Sequence, residues 1–330
     1  MQRFSYARGS DTASLSRGEH PSGQAYLAGG TTLLDLMKLD VLRPSAILDI
    51  NDLAASHGQI ESTPDGLRLG ALVRMADAAS HPDIARNYPV IAQSLLLAAS
   101  AQIRNMATLG GNVLQRTRCS YFRDTRWAAC NKRNPGSGCA ALEGITRKLA
   151  ILGTSENCIA TYPGDFAQAL VALDAIVEIA GPGGARSLRF EDLHRLPGNT
   201  PHIETNLQLS ELITGFRVPA GGWTRRSLYL KIRDRESYEF ALASAAVALE
   251  LNGKTVKQAR IALGGVATRP WRSHEAEAAL RGKAMSEETA IAAADAAFAQ
   301  VNTHGDNAFK AVLGQRTLTR ALLQAASMEI

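Results

Sequence analysis

Short apolar runs bounded by glycine or proline mark the first two-thirds of the chain, and alanine-rich helical patterns mark the last third. Tyr26-Leu27-Ala28 reads as a short strand, Gly29-Gly30-Thr31-Thr32 as a turn, and Leu33 to Lys38 as a helix that Thr31 or Thr32 caps. Ala46 to Ile50 is a second buried strand, which makes residues 2 to 57 a small α/β unit. Leu67 to Gly70 is a strand. Asp83 to Arg104 reads as helical, with Ile91, Leu95, Leu96 and Ala99 on one face and a break at Pro89. Lys148 to Gly153 and Ala160 to Tyr162 read as strands. Asp165 is placed to cap a helix from Phe166 to Leu173, and Ile176 to Ile179 returns as a strand. A hairpin turn at 181–184 and a strand from Glu211 to Val218 complete a second unit, residues 58 to 222.

Pro219-Ala220-Gly221-Gly222 reads as a linker into a third unit, residues 223 to 330. Ser227 to Ile232 is a strand. Phe240 to Leu251 is apolar without a clear period, so it reads equally as helix or strand. Asn252-Gly253 signals a hairpin, with Val256 to Gly264 as the returning strand. Helices are expected at Trp271–Arg281, Ser286–Val301 and Asn307–Ala326, and no solenoid repeat stands out.

A chain of 330 residues is expected to form two or three domains around an ordinary apolar core. The net charge of +5 is mild and, apart from one loop, dispersed, so no nucleic-acid partner is expected. No apolar run approaches the ~18 residues of a membrane span. Residues 1–6 contain no apolar signal core, so export is expected only in company with a signal-bearing partner.

All four cysteines lie between residues 115 and 160, spaced C-x10-C-x8-C-x18-C: Cys119, Cys130, Cys139 and Cys158. Three chemistries compete. Two disulfides are possible, although a chain of this length folds without them. A structural zinc site is possible, but it normally shows close C-x2–4-C knuckles. An iron–sulfur cluster needs four thiolates and tolerates irregular spacing. Arg116, Arg118, Arg123, Arg126, Lys132 and Arg133 oppose a lone Asp124, and such a positive field offsets thiolate charge. Gly136 and Gly138, beside Cys139, allow backbone N–H groups to approach sulfur closely.

Gly29-Gly30 and Gly110-Gly111 sit in separate α/β units, each before a helix. Two amide nests could share one pyrophosphate. Neither matches G-x-G-x-x-G with an acidic residue about 20 positions on, so a Rossmann site is not supported. Ala28-Gly29-Gly30-Thr31-Thr32-Leu33, Thr108-Leu109-Gly110-Gly111-Asn112 and Pro163-Gly164-Asp165 resemble the FAD-binding middle subunits of the molybdenum hydroxylases over essentially the whole chain. Cys119-Ser120-Tyr121-Phe122-Arg123, Cys130-Asn131-Lys132-Arg133, Pro135-Gly136-Ser137-Gly138-Cys139 and Cys158-Ile159-Ala160-Thr161 are similar to the flavin and iron–sulfur subunit of bacterial periplasmic aldehyde oxidoreductases.

The resemblance implies an α+β fold: two FAD-binding subdomains of the vanillyl-alcohol-oxidase type (1–57 and 58–222), then a C-terminal α+β domain with a small antiparallel sheet (223–330). It implies FAD held by Leu27, Ala28, Gly29, Gly30, Thr31, Thr32 and Leu33 on one side and Thr108, Gly111 and Asn112 on the other. Asp165 would bind the adenosine end or cap its helix, Ile213 (with Leu212) would contact a ring, and Lys231 would lie near the isoalloxazine or be an exposed strand-end lysine. It implies a [4Fe–4S] cluster on the four cysteines. The implied partners are a large molybdenum-cofactor subunit, a small subunit with two [2Fe–2S] clusters, and an external electron acceptor, in the periplasm or, failing that, the cytoplasm. No catalytic residue is expected in this chain, because the substrate site would lie on the large subunit. The competing functions are a hydroxybenzoyl-CoA reductase-like subunit and a zinc-stabilised scaffold without enzymatic activity. The seven histidines form no cluster and are expected at the surface. Trp127 would either shield the cluster or simply pack.

Overall fold

The computed structural model describes residues 1–9 and 23–330. Its first unit is a parallel sheet of β1 (Ser5–Arg8), β2 (Gln24–Leu27) and β3 (Ala46–Asp49), in the order β1-β3-β2. Helix α1 (Leu33–Lys38) links β2 to β3, and α2 (Ala54–His57) follows. The strand at Ser5–Arg8 was not expected from the sequence. Every one of its residues is exposed, so it carries no burial pattern to read.

The second unit is a five-stranded antiparallel sheet in the order β4-β5-β8-β6-β7. Its strands are β4 (Ile60–Thr63), β5 (Gly66–Gly70), β6 (Ile176–Gly181), β7 (Gly184–Arg189) and β8 (Leu212–Pro219). The helix expected over 83–104 is instead a chain of short ones. After α3 (Met75–Ser80), they are α4 (Pro82–Asn87), α5 (Pro89–Leu96) and α6 (Ala101–Met106). Pro82 and Pro89 each begin a helix, where a missing N–H costs nothing, and Ala99 turns the chain at φ +51. Two further short helices, α7 (Leu109–Val113) and α8 (Ser120–Arg123), lead into the cysteine loop, and α9 (Phe166–Ala172) leaves it.

The third unit is an antiparallel sheet, β12-β11-β10-β9, built from β9 (Ser227–Ile232), β10 (Ala243–Asn252), β11 (Thr255–Gly264) and β12 (Trp271–Arg272). Helices α10 (His274–Leu280), α11 (Glu287–Ala297) and α12 (Phe309–Ala326) cover one face. The ambiguous apolar stretch is therefore a strand. Its period was hidden because both faces are buried: Ala243, Ala245, Val247 and Leu249 pack with the helices, while Ala246 and Ala248 join the core of the second unit. The helix expected from Trp271 begins only at His274, after β12 has paired with β11.

The segments expected as strands at 148–153 and 160–162 form no sheet of their own. Ile151 and Leu152 donate to Val266 O at 2.8 and 3.0 Å, and Tyr162 donates to Ala267 O at 3.0 Å. The exit of the cysteine loop thus lies against the third unit, and Ile151 and Leu152 belong to its core. Pairing partners more than a hundred residues away left no local pattern for the sequence to show.

Candidate functional site

The first Gly-Gly turn follows β2. Gly30 has φ +74, and Leu34 N–H donates back to Gly30 O at 3.0 Å, which closes the turn into α1. Among the described residues, no acceptor is found for the N–H groups of Gly29, Gly30, Thr31, Thr32 and Leu33. Thr32 occupies the N-cap position but makes no side-chain cap. The turn therefore presents a row of free donors, an arrangement suited to an anion.

Gly29 also sets how closely the two units approach. A Cβ there would lie 2.1 Å from Met106 O and 2.9 Å from Ala107 Cα. The second Gly-Gly turn lies just beyond that contact. Its amides are already engaged: Leu109 N–H to Val73 O, Gly110 N–H to Ala71 O, Gly111 N–H to Thr108 Oγ1 and Asn112 N–H to Thr108 O. The expectation of two amide nests is corrected. The second turn offers instead a bare Cα surface at Gly111 and the side chains of Thr108 and Asn112. Asn112 Oδ1 is buried without a protein partner.

Between the units runs a crevice of two lobes that meet at Thr31 and Thr32. They enclose about 950 and 1380 Å³ of space that is continuous with open solvent. The first lobe is apolar. Ala28 to Leu33, Thr108 and Gly111 form one end, and Tyr26, Ile50, Leu72, Leu212 and Ile213 its walls. The second is polar and takes in Asp35, Asn112, Arg118, Arg123 and Asp165. Leu27 lies behind the turn, its side chain packed near Gly30, and reaches neither lobe.

Asp165 occupies the N-cap position of α9 without capping it. Its carboxylate instead accepts from Lys231 Nζ at 2.8 Å and from Tyr229 Oη at 2.6 Å. Burial pushes the Asp165 carboxyl above its usual range, and Lys231 and Tyr229 pull against that. The Lys231 side chain is only 1 % exposed, so it is not a strand-end surface lysine. It lines neither lobe and reaches the crevice only through Asp165.

All four cysteines line one small cavity within the loop, together with Tyr121, Phe122 and Asn131. None forms a disulfide. Among the described residues, no three His, Cys, Asp or Glu side chains are grouped to hold a single metal ion. Cys130 and Cys139 face each other across an antiparallel bridge, and Ser137 Oγ accepts from Cys130 N–H at 3.0 Å. Burial pushes the Cys119 thiol up to about 12 and the Cys158 thiol up to about 11. Gly136 and Gly138 do take positive φ, +85 and +90, but the Gly138 N–H goes to Asn131 Oδ1 at 2.9 Å rather than toward sulfur.

The basic field read from the loop is largely neutralised by carboxylates that a local count misses. Asp35 of α1 binds both Arg118 (3.0 Å) and Arg123 (2.8 Å), and Glu204 binds Arg116 (2.5 Å) and lies 3.6 Å from Lys132. Burial raises the Asp35 carboxyl, but the two guanidiniums outweigh it and hold it below the ordinary value. Arg133 instead donates to the Tyr121 and Phe122 carbonyls at 2.8 and 2.7 Å. Trp127 is 47 % exposed, packs edge-on against Tyr121 and stands outside the cysteine cavity. His194 departs from the expected surface placement. It is buried on Val113 O at 2.9 Å, and burial lowers it to about 4.

Sequence reasoning missed Tyr229 and Asp35 as site residues. Tyr229 is two residues from Lys231 on one strand, so the alternation of a strand already put both on one face.

The chain matches two family models end to end: the FAD-binding domain of molybdopterin dehydrogenases over residues 2–221, and the C-terminal domain of CO dehydrogenase flavoproteins over 228–325. It is 45 % identical to the aldehyde oxidoreductase FAD-binding subunit PaoB of Escherichia coli K12, covering 98 % of this chain and 99 % of that one. It is 28 % identical to the glyceraldehyde dehydrogenase medium chain of Sulfolobus acidocaldarius, over 85 % of this chain and 82 % of the relative. Among solved structures, a chain of the carbon monoxide dehydrogenase of Hydrogenophaga pseudoflava superposes with a TM-score of 0.75 at 28 % identity, covering 98 % of this chain and 97 % of that one.

Proposed function

The chain belongs to the family of FAD-binding medium subunits of the molybdenum hydroxylases, and we propose that it is the flavin and iron–sulfur electron-transfer subunit of a molybdenum-dependent aldehyde oxidoreductase. The observation that carries this reading is a two-lobed crevice with unpartnered amides at its waist, next to four free thiols around one cavity.

FAD supplies a centre that takes electrons singly and releases them in pairs. The amides of residues 29–33 would hold the pyrophosphate, with Thr108, Gly111 and Asn112 closing the opposite side. The apolar lobe by Leu212 and Ile213 suits a ring stripped of water, and the polar lobe by Asn112 and Asp165 suits a group with several hydrogen-bonding atoms. The orphaned Asn112 Oδ1 supports this fit, since a buried acceptor without a partner is expected to find one in a ligand.

Cys119, Cys130, Cys139 and Cys158 would hold a [4Fe–4S] cluster, a one-electron carrier. The four thiols would hold it from the walls of one cavity rather than at a single point. Thiols with pKa near 11 and 12 become thiolates only with a strong positive partner, which the irons would provide.

The aldehyde would be oxidised to the acid on a large molybdenum-cofactor subunit, and a small subunit with two [2Fe–2S] clusters would relay the electrons to this chain and on to an external acceptor. The resemblance supports a periplasmic location, reached in company with a signal-bearing subunit. The test is one visible spectrum with iron and flavin quantitation on the complex, repeated for Cys130→Ser. One flavin per chain and about four irons lost or destabilised in the variant support the assignment. Unchanged iron content and absorption in Cys130→Ser reject the ligand set.

A further inference from the structure

We infer that Asp165, Lys231 and Tyr229 act as one charge-balanced buried unit that sets the reduction potential of the flavin beside it, with Tyr229 as its positioning residue. The inference rests on reading the crevice as the FAD site with the flavin ring in the polar lobe, where Asp165 lies, and the adenine in the apolar one. The resemblance gives Lys231 a place near the flavin and Asp165 a place at the adenosine end. It gives Tyr229 no role and does not couple the three.

The coupling is geometric. Asp165 lines the polar lobe, and its two carboxylate oxygens are held from behind, Oδ1 by Tyr229 at 2.6 Å and Oδ2 by Lys231 at 2.8 Å. Tyr229 and Lys231 project from the same face of β9, and all three groups are buried. The amine also donates to Leu97 O at 3.0 Å, a carbonyl that Arg233 also reaches at 3.2 Å. Asp165 therefore stands between the lysine and the crevice.

Reduction makes a flavin more negative, so a net positive surrounding favours the reduced form and a net negative one the oxidised form. Lys231 alone would raise the potential. Paired with Asp165 its charge is cancelled, and the carboxylate is the member nearer the ligand. The Tyr229 hydroxyl draws charge from that carboxylate and keeps it turned away from the α9 amides. Burial and the adjacent carboxylate keep the phenol protonated, so Tyr229 contributes a dipole and no charge.

The experiment follows the flavin absorbance in a reductive titration of the full chain purified with its partner subunits, with FAD per chain measured separately. Asp165→Asn leaves the ammonium unbalanced, and the potential rises. Lys231→Met leaves the carboxylate unbalanced, and the potential falls. The double variant returns toward the parent value, and Tyr229→Phe falls by less than Lys231→Met. Potentials that stay put, or that shift in the same direction in the Asp165 and Lys231 variants with FAD still bound, overturn the inference. A parent protein that carries no FAD instead rejects the reading of the crevice, and flavin content reports that before any potential is read. Where Lys231→Met does not fold, Tyr229→Phe removes a single hydrogen bond and opposes Asp165→Asn in the same measurement.

Discussion

Lys310 is a buried lysine whose partners among the described residues are carbonyls rather than carboxylates. Its side chain is fully buried and donates to Leu149 O at 2.9 Å and Gly265 O at 2.6 Å. Burial, with help from Arg147 and Lys148 nearby, lowers its pKa to about 7, whereas a lysine in the unfolded chain titrates near about 10.4. Between those values the unfolded chain binds a proton that the folded chain does not. Stability therefore climbs as pH rises through this window, by up to about 1.4 kcal/mol per pH unit, and is lost again as pH falls toward 7. Lys310→Met removes the titration. The parent protein is expected to gain stability relative to this variant between about pH 7 and pH 9 in paired urea melts, and parallel curves would refute the assignment. Nothing in the sequence pointed to this residue, because a lysine in an amphipathic helix ordinarily faces water.

At the scale of elements, the tie between α9 and the third sheet is ionic where most of the core is apolar. Arg272 of β12 binds Glu277 of α10 and reaches Asp174 at 2.9 Å and the Val171 carbonyl, and its side chain is 3 % exposed. Asp174 itself turns the chain at φ +53. Arg272→Met leaves the buried Glu277 carboxylate with only the Ile261 N–H and the His274 ring beside it among the described residues and is expected to cost about 3–5 kcal/mol in denaturant unfolding. A loss below about 1 kcal/mol would show that the pair is dispensable. The glycine turns, the cysteine spacing and the hairpin at Asn252-Gly253 were legible because each is a local signal with one backbone solution. The break of the 83–104 helix at Ala99, the carboxylates that neutralise the cysteine loop and the double burial of β10 were not. Each is decided by a partner far along the chain.

At the scale of the molecule, the linker at 219–222 does not separate two independent bodies. The segment 149–162 precedes it in sequence yet bonds to Val266 and Ala267, and Asn302 and Asn307 donate to the Ile151 and Ala150 carbonyls at 2.8 and 3.1 Å. Tyr229 and Ala246 of the third unit sit in the core of the second. A single protease cut engineered into 219–222 is therefore expected to leave both fragments eluting together on gel filtration, with flavin retained. Fragments that part under native conditions would show that the two halves fold alone. The same interlacing bears on how the protein is made. Asn302, Asn307 and Lys310, which secure the carbonyls of Ile151, Ala150 and Leu149, lie far downstream of them in the chain. The exit of the cysteine loop is therefore pinned by chain made well after it, so a metal is expected to stay with these thiols only in a chain synthesised past residue 310.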